Sequence, residues 1–544
     1  MNLKTIEGRF QPTEDGKSAW SANGMVSTAF PEATQAGVEI LEAGGNAIDA
    51  ACAAAFALSV CEPQASGLGG QSMVLLHTQD KNLALDGSSR VPSLAHLSRM
   101  EESEQRLTGY RAATVPSTPA VLGYMHFTYG RASWRTILEP AIRIAKEGYR
   151  ITELQHRLQK REQDSFLNVP SQSGARYFLK DGKEPYVVGD KFVQNDLAQL
   201  LRFISEEGVK EFYAGEPARQ IDQDMKDNNG FLRYEDMALI PWPVLRNPLH
   251  RRYRGLSIYT TPPPAAGRTL LLILLVLGNF PAKLLKERSP ESYHFVAETF
   301  RKALLNRKER PFDPNIYPQL PQDKRILSLD FAKMLATSIQ DKIDPTLPLA
   351  DLFPDDNDTT HLSVMDKQGN TVGITQSIER VYGSHTAAKG LGFLYNNYMS
   401  SLETKDPSHP YYLRPNAIPW SMSAPVILFR RKQPWMVAGS PGSERIFSAV
   451  AQFLSHIIDG DLPISDAMEA PRIHCSIGGK LSYEEGRLDD KVVEYLKNVG
   501  YKMDAREPYA FYMGAIHAII KTQTMDGFQG VAEIRRDGTS AGPN

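Results

Sequence analysis

The chain has 544 residues, 42% of them apolar and 23% charged, the composition of a globular protein with a large core. A formal net charge of −2 gives no electrostatic basis for binding nucleic acid or an anionic membrane. The three cysteines, Cys52, Cys61 and Cys475, make no disulfide framework and fit a reducing compartment. The first twenty residues lack the apolar stretch of a secretory signal, and the longest apolar run, 269–277, is far short of a bilayer span. A cytoplasmic protein of enzyme size is expected; length alone allows three or four domains.

In chain order, residues 24–30 read as a short strand, and Pro31 opens a helix that Gly44-Gly45-Asn46 breaks. A second helix starts near Ala47, with an alanine density that permits close packing on a sheet. Ser66-Gly67-Leu68-Gly69-Gly70-Gln71-Ser72 follows, then a buried strand, MVLLH. This glycine cluster follows a helix and precedes a strand, the reverse of a dinucleotide fingerprint, and Ser72 stands where that fingerprint needs glycine. A tight turn with close backbone approach is expected instead, and no cofactor.

Residues 83–86 make another strand, running into DGSSRVP. The 134–148 segment is an amphipathic helix with Pro140 inside it and Gly148 as its stop. Helices are expected across 195–240, broken at Phe212-Tyr213-Ala214-Gly215. A strand at 257–260 leads through Thr261-Pro262-Pro263-Pro264-Ala265-Ala266-Gly267 into a core helix, and 291–309 is a charged amphipathic helix. Residues 347–358 turn to Pro and Asp, as a mobile linker would. Beyond Thr359 strands dominate, at 361–366, 371–377, 392–397, 423–430 and 435–439, with helices near 444–458 and 464–470. Helices early and late, with strands between and after, indicate an α+β layered sandwich.

The chemistry centres on 358–379. Thr359 and Thr360 stand at the mouth of a hairpin whose turn is Lys367-Gln368-Gly369-Asn370. A hydroxyl at a strand start just after a linker is where an N-terminal nucleophile sits once the chain is cut; threonine is also simply a good strand residue. The twelve histidines show no H-E-x-x-H pattern and the cysteines no paired spacing, so no metal is expected; His361 and His385 read as structural. His474 and Cys475 are neighbours that a strand would point to opposite faces. Gly439-Ser440-Pro441-Gly442-Ser443 has the wrong spacing for a nucleophile elbow. Its amides at Gly442 and Ser443, ahead of a helix, suit either an oxyanion hole or a plain strand-to-helix turn.

Taken in order, several segments resemble one family, the γ-glutamyltransferases among the N-terminal nucleophile hydrolases. They are GGNAIDAACAAAFALSVCEP (44–63), SGLGG (66–70), EPAIRIAKEG (139–148), FYAGEPA (212–218), TPPPAAG (261–267), TTHLSVMDKQGN (359–370), GSPGSERI (439–446) and RRDGTSAGP (535–543). The resemblance implies a four-layer αββα sandwich and a precursor that cuts itself between Asp358 and Thr359. That leaves a large subunit, 1–358, and a small one, 359–544, held together as one domain, either as that heterodimer or within a higher oligomer. Thr359 would then be nucleophile and base in one residue, its freed α-amino group (pKa about 8) taking the hydroxyl proton. Gly442 and Ser443 fall at the family's oxyanion donors, with Ser443 replacing a second glycine. Ser377 replaces a threonine that hydrogen-bonds the nucleophile.

The substrate contacts implied by the resemblance differ more. Well-studied transferases hold the γ-glutamyl α-carboxylate with an arginine in R-E-x-A-P and with a Ser-Ser pair. Here Ser88 takes the arginine position, Arg90 lies two residues on, and the pair is Trp420-Ser421. The family's α-amino contacts fall at Glu379, Tyr398 and Ser401, and the 402–418 lid region is short. The expected activity is amide cleavage or acyl transfer on small γ-glutamyl substrates of the glutathione type. A glutaryl or cephalosporin-type acylase, which needs a carboxylate site but no amino site, is the alternative; an inactive relative kept for binding is a third.

Overall fold

The computed structural model describes residues 2–8, 10–100, 103–343, 358–523 and 526–544. The expected linker, apart from Asp358, lies outside the described residues. Fourteen strands build two main sheets: β1 (Ser18–Ser21), β2 (Gly24–Thr28), β3 (Gln71–Thr78), β4 (Lys81–Gly87), β5 (Val244–Arg246), β6 (Leu249–Tyr253), β7 (Leu256–Thr260), β8 (Thr360–Asp366), β9 (Thr371–Ser377), β10 (Val426–Arg430), β11 (Gln433–Gly439), β12 (His517–Lys521), β13 (Phe528–Ala532) and β14 (Thr539–Ala541). One sheet runs β14-β2-β8-β9-β3-β4-β5 and the other β1-β13-β12-β11-β10-β7-β6. Strands from before and after residue 358 are thus interleaved in both sheets.

Helices α1 (Pro31–Glu42) and α2 (Ala47–Cys61) cover the first sheet. Helices α3 (Gly267–Leu277), α4 (Pro290–Glu309) and α5 (Arg445–Ile458) cover the second. The layers are therefore helix, sheet, sheet, helix, the αββα sandwich the resemblance implies. Asn46 caps α2 by accepting from the amides of Ile48 and Asp49, while Asp49 bonds back to the Asn46 amide. Such a capping box contributes about 1 kcal/mol. All of α2 is buried, and its alanines let it lie close on β8 and β9. Among the described residues no helix is long and apolar enough to cross a membrane.

The period of two along β8 sorts its side chains. Leu362 and Val364 join the core under α1 and α2, while Met365 joins a separate apolar layer between the sheets with Met25, Leu75, Ile427, Val437 and Ile519. Each such buried side chain stabilises by about 1.5–3 kcal/mol, so a one-residue slip, which exchanges the faces, is strongly disfavoured. Two expectations need correction. Residues 392–397 are not a strand: Leu394 makes a single bridge to Ala387, and the Asn396 side chain binds Gly69 O and Thr114 O instead. The helical break expected across 212–215 falls on Gly215 alone, because Val209–Ala214 is itself a helix and the next begins at Glu216; a further break stands at Gly208.

The register places many loops at one end of the sandwich. Thr360 pairs with Gln376, Ser377 with Gln71, and Ser72 with Gly87. In the facing sheet Val426 pairs with both Thr260 and Ala438, and Gly439 pairs with His517, whose own partner is Ala532. A Cβ on Gly439 would lie 2.3 Å from the His361 ring, so the two sheets meet at this same end. Thr359, the segments after Ser377 and Gly87, the stretch before Val426, the 440–443 loop and the segment after Ala532 therefore share one edge of the molecule.

Candidate active site

Continuing the β8–β9 register one step sets Thr359 opposite Ser377, with both side chains on the face between the sheets. The Thr359 hydroxyl donates to Ser377 Oγ at 3.4 Å, and Ser377 Oγ donates to the Asp358 carbonyl at 2.8 Å. The amide of Glu379 donates to the same Ser377 oxygen at 2.8 Å. One serine hydroxyl thus touches the expected nucleophile and the carbonyl of the expected scissile bond. The Asp358 amide is held by Glu379 O at 3.0 Å, so the backbone on the acyl side is fixed as well. A Cβ on Gly70 would stand 2.3 Å from Ser377 O, which is the close approach expected of the glycine cluster.

Charge is concentrated beside this bond. Asp358 is fully buried and pairs with Arg536 Nη2 at 2.7 Å, and its carboxylate also accepts from the Thr359 amide at 2.8 Å. Arg536 donates to Thr359 O at 3.4 Å, packs 4.0 Å from the Phe511 ring centroid, and lies 3.9 Å from Glu62. Burial pushes the Glu62 carboxyl up to about 8, the Asp358 charge adds to that rise, and Arg536 opposes it. One guanidinium thus serves two buried acids. This cluster is absent from the expectations above, although the RRDG segment that supplies Arg536 is among the motifs. His361, two residues from Thr359, bonds Thr375 and Ser363, and burial lowers it to about 3. It is a neutral structural group, as its sequence position suggests.

The Gly442-Ser443 loop lies between β11 and α5, with φ of 117° at Gly442 and 53° at Ser443. Both backbones are left-handed, which turns the peptide planes sharply before the helix. Among the described residues neither amide donates to a protein acceptor.

Glu379, Tyr398 and Ser401 are brought together. The Ser401 hydroxyl donates to Glu379, and the Tyr398 hydroxyl points to Ser377 O at 3.5 Å. Burial raises Glu379 to about 7, against the effect of the Ser401 hydrogen bond. Trp420 and Ser421 form a second group with Arg307, which donates to Ser421 O at 2.9 Å and stacks 4.8 Å from the Trp420 ring. Arg90 joins neither group through a hydrogen bond or ion pair among the described residues. Its backbone bridges to Val115, and it lines a 250 Å³ groove with Trp242, Arg246 and Arg414. Ser88, at the position of the family's arginine, is turned onto Asp86 at 2.6 Å, and Asp86 is paired with Arg246 at 2.7 Å. Among the described residues no group of three His, Cys, Asp and Glu side chains is placed to hold a metal ion.

Two stacked antiparallel sheets between helical layers, with a buried threonine leading into a central strand, define an N-terminal nucleophile hydrolase fold. The cephalosporin acylase from Bacillus halodurans superposes with a TM-score of 0.88 at 27% identity, covering 97% of each chain. The Gamma-glutamyltranspeptidase family model matches residues 33–543, and the chain belongs to that family. The glutathione hydrolase proenzyme of Escherichia coli (strain K12) is 32% identical over 521 residues, 91% of this chain and 88% of that one. The acylase ACY 1 proenzyme of Pseudomonas sp. (strain SE83) is 29% identical over 544 residues, 97% and 95% of the two chains. The family is enzymatic, and its relatives include both glutathione hydrolases and acylases.

Proposed function

We propose that this chain is an autoprocessing N-terminal threonine amidohydrolase and acyltransferase. The observation that carries the proposal is the Thr359–Ser377–Asp358 arrangement. The Thr359 hydroxyl attacks the Asp358 carbonyl through a five-membered ring, while Ser377 donates to the developing oxyanion. The C–N bond breaks, the new amine takes a proton, and water hydrolyses the resulting ester. Asp358 is left as a carboxyl terminus and Thr359 with a free amine and hydroxyl. That amine then serves as base for the hydroxyl in substrate turnover. The amides of Gly442 and Ser443 hold the oxyanion, and water or an amine resolves the acyl-enzyme.

The substrate is read as a γ-glutamyl amide, with Glu379, helped by Tyr398 and Ser401, facing its ammonium. A glutaryl-type acylase is the second reading. It is favoured by the likeness to the two acylases and by Ser401, which falls where the family keeps an acid for the α-amino group. Thr359→Ala should leave a single full-length band on a denaturing gel and no turnover. Normal cutting of that variant would show that the nucleophile lies elsewhere. Comparing γ-glutamyl with glutaryl anilide on cleaved enzyme separates the two substrate readings.

A further inference from the structure

Among the described residues, Arg307 on α4 is a buried cation without a counter-ion. It is 7% exposed, and Nη2 donates to Ser421 O at 2.9 Å. Its Nε is buried with no acceptor, and among the described residues no carboxylate comes within ion-pair distance. Beside it stands Arg268 on α3, 4% exposed, whose hydrogen bond goes to a backbone carbonyl, Arg310 O at 2.9 Å. Arg268 packs 3.8 Å from the Phe312 ring and feels the charge of Arg307. The nearby acids act only at a distance, Glu444 on Arg307 and Asp323 on Arg268. Burial lowers both guanidinium groups to about 10. Two like charges held together out of water are costly unless an anion completes them. A carboxylate is the natural complement, since guanidinium offers it two parallel N–H donors.

The place of this pair in the fold says which carboxylate. Ser421 precedes β10 at the edge that holds Thr359, and β10 packs across the sandwich from β3 and β9. Polar and aromatic groups stand between the two: Tyr398 beside Ser377 and Gln71, Gln71 accepting from Ser89, Ser88 donating to Asp86, and Tyr411 against Trp420, on which Arg307 stacks. Arg90, the anchor expected from sequence, lines a groove with Asp86, Ser88 and Arg246 and makes no hydrogen bond or ion pair to Ser421 or Trp420 among the described residues. We infer that Arg307, backed by Arg268 and flanked by Trp420 and Tyr411, anchors the free carboxylate of the substrate's acyl group, so that the enzyme takes acyl chains derived from a dicarboxylic acid. This rests on Thr359 being the acyl nucleophile. It holds for a glutaryl or a γ-glutamyl chain, because both carry that carboxylate.

The test uses cleaved enzyme and two anilides, glutaryl and its neutral primary amide. Wild type should prefer the carboxylate, and Arg307→Met should raise KM for the glutaryl compound roughly a hundredfold. Its kcat and its activity on the amide should stay within a few-fold. A cleaved, active Arg307→Met that keeps the preference overturns the anchor, as does a wild type with no preference. Should Arg307→Met fail to accumulate as two fragments, Arg307→Lys decides. It keeps the charge on a group without the fork, so KM for the glutaryl compound must rise with kcat held; an unchanged KM overturns the proposal. Wild type that is never cut, or that turns over no anilide, refutes the reading of Thr359 instead.

Discussion

Replacing Ser377 with alanine tests the proposed self-cleavage most directly. Its hydroxyl is the donor to the Asp358 carbonyl at 2.8 Å, and its oxygen takes the Glu379 amide at 2.8 Å and the Thr359 hydroxyl at 3.4 Å. As Thr359 attacks, negative charge grows on the Asp358 oxygen, so the lost donor acts mainly on the transition state. Removing one such donor costs about 10²–10³ in rate, or about 2.7–4 kcal/mol. The Glu379 amide is also left without its acceptor, a stability loss of about 1–3 kcal/mol. The two effects separate in a time course of purified precursor, with cut fraction read from a denaturing gel and the fold followed by near-ultraviolet circular dichroism. Ser377→Ala should stay folded and cut at least a hundred times more slowly, and Ser377→Thr, which keeps the hydroxyl, should restore the rate. A folded Ser377→Ala that cuts within threefold of wild type would mean that this hydrogen bond has no part in cleavage.

Two further outcomes are expected. Glu379, raised to about 7 by burial, is neutral below that pH and a carboxylate above it. A substrate ammonium finds its partner only in the ionised form, so KM for a γ-glutamyl anilide should fall as pH rises through about 7. KM for glutaryl anilide should show no such step, and Glu379→Gln should remove it; parallel profiles for the two substrates would refute the assignment. In the Thr359→Ala background, Arg536→Met strips the buried Asp358 of its ion partner and should cost about 3–5 kcal/mol in urea unfolding. Asp358→Asn should recover much of that loss. Strictly additive effects of the two changes would argue against a coupled pair.

How much of this is legible in sequence follows from the range of the interactions. Thr359 and Ser377 face one another through a tight hairpin, and period two places them on one face; the motif, the turn and the register are all local. The break at Gly44-Gly45-Asn46 and the α2 start are equally local, because one capping side chain makes them. The 392–397 stretch reads as a strand from its apolar residues. The Asn396 side chain, bound to Gly69 and Thr114, holds it as a loop, and period alone carries no sign of that. Arg536 reaches Asp358 across a gap of 178 positions, and Arg307 reaches Ser421 across 114. No periodicity relates such pairs. Arg90 is the natural guess for an anchor because it is nearest in sequence to the missing arginine, yet the nearby acid Asp86 is taken up by Arg246 and Ser88, contacts that lie 160 positions apart in the first case.

The interleaving of the chain bears on when the proposed cut can occur. β8 and β9, which carry Thr359 and Ser377, are central strands bounded by β2 on one side and β3 on the other, both from before residue 358. Arg536 comes from beyond β13, and Glu62 from the end of α2. The Asp358 carbonyl therefore meets its hydrogen-bond donor and its charged neighbours only after both sheets have formed. A partly folded chain holds the same threonine without the Ser377 contact and is expected to stay uncut. The same interleaving keeps the fragments together afterwards. Separating them would break the β2–β8 and β9–β3 ladders and expose the layer of Met365, Val437 and Ile519 between the sheets. At about 25 cal/mol per Å² of apolar surface, that layer alone disfavours dissociation strongly, so the proposed cleavage would free an amine at Thr359 without freeing the chain that bears it.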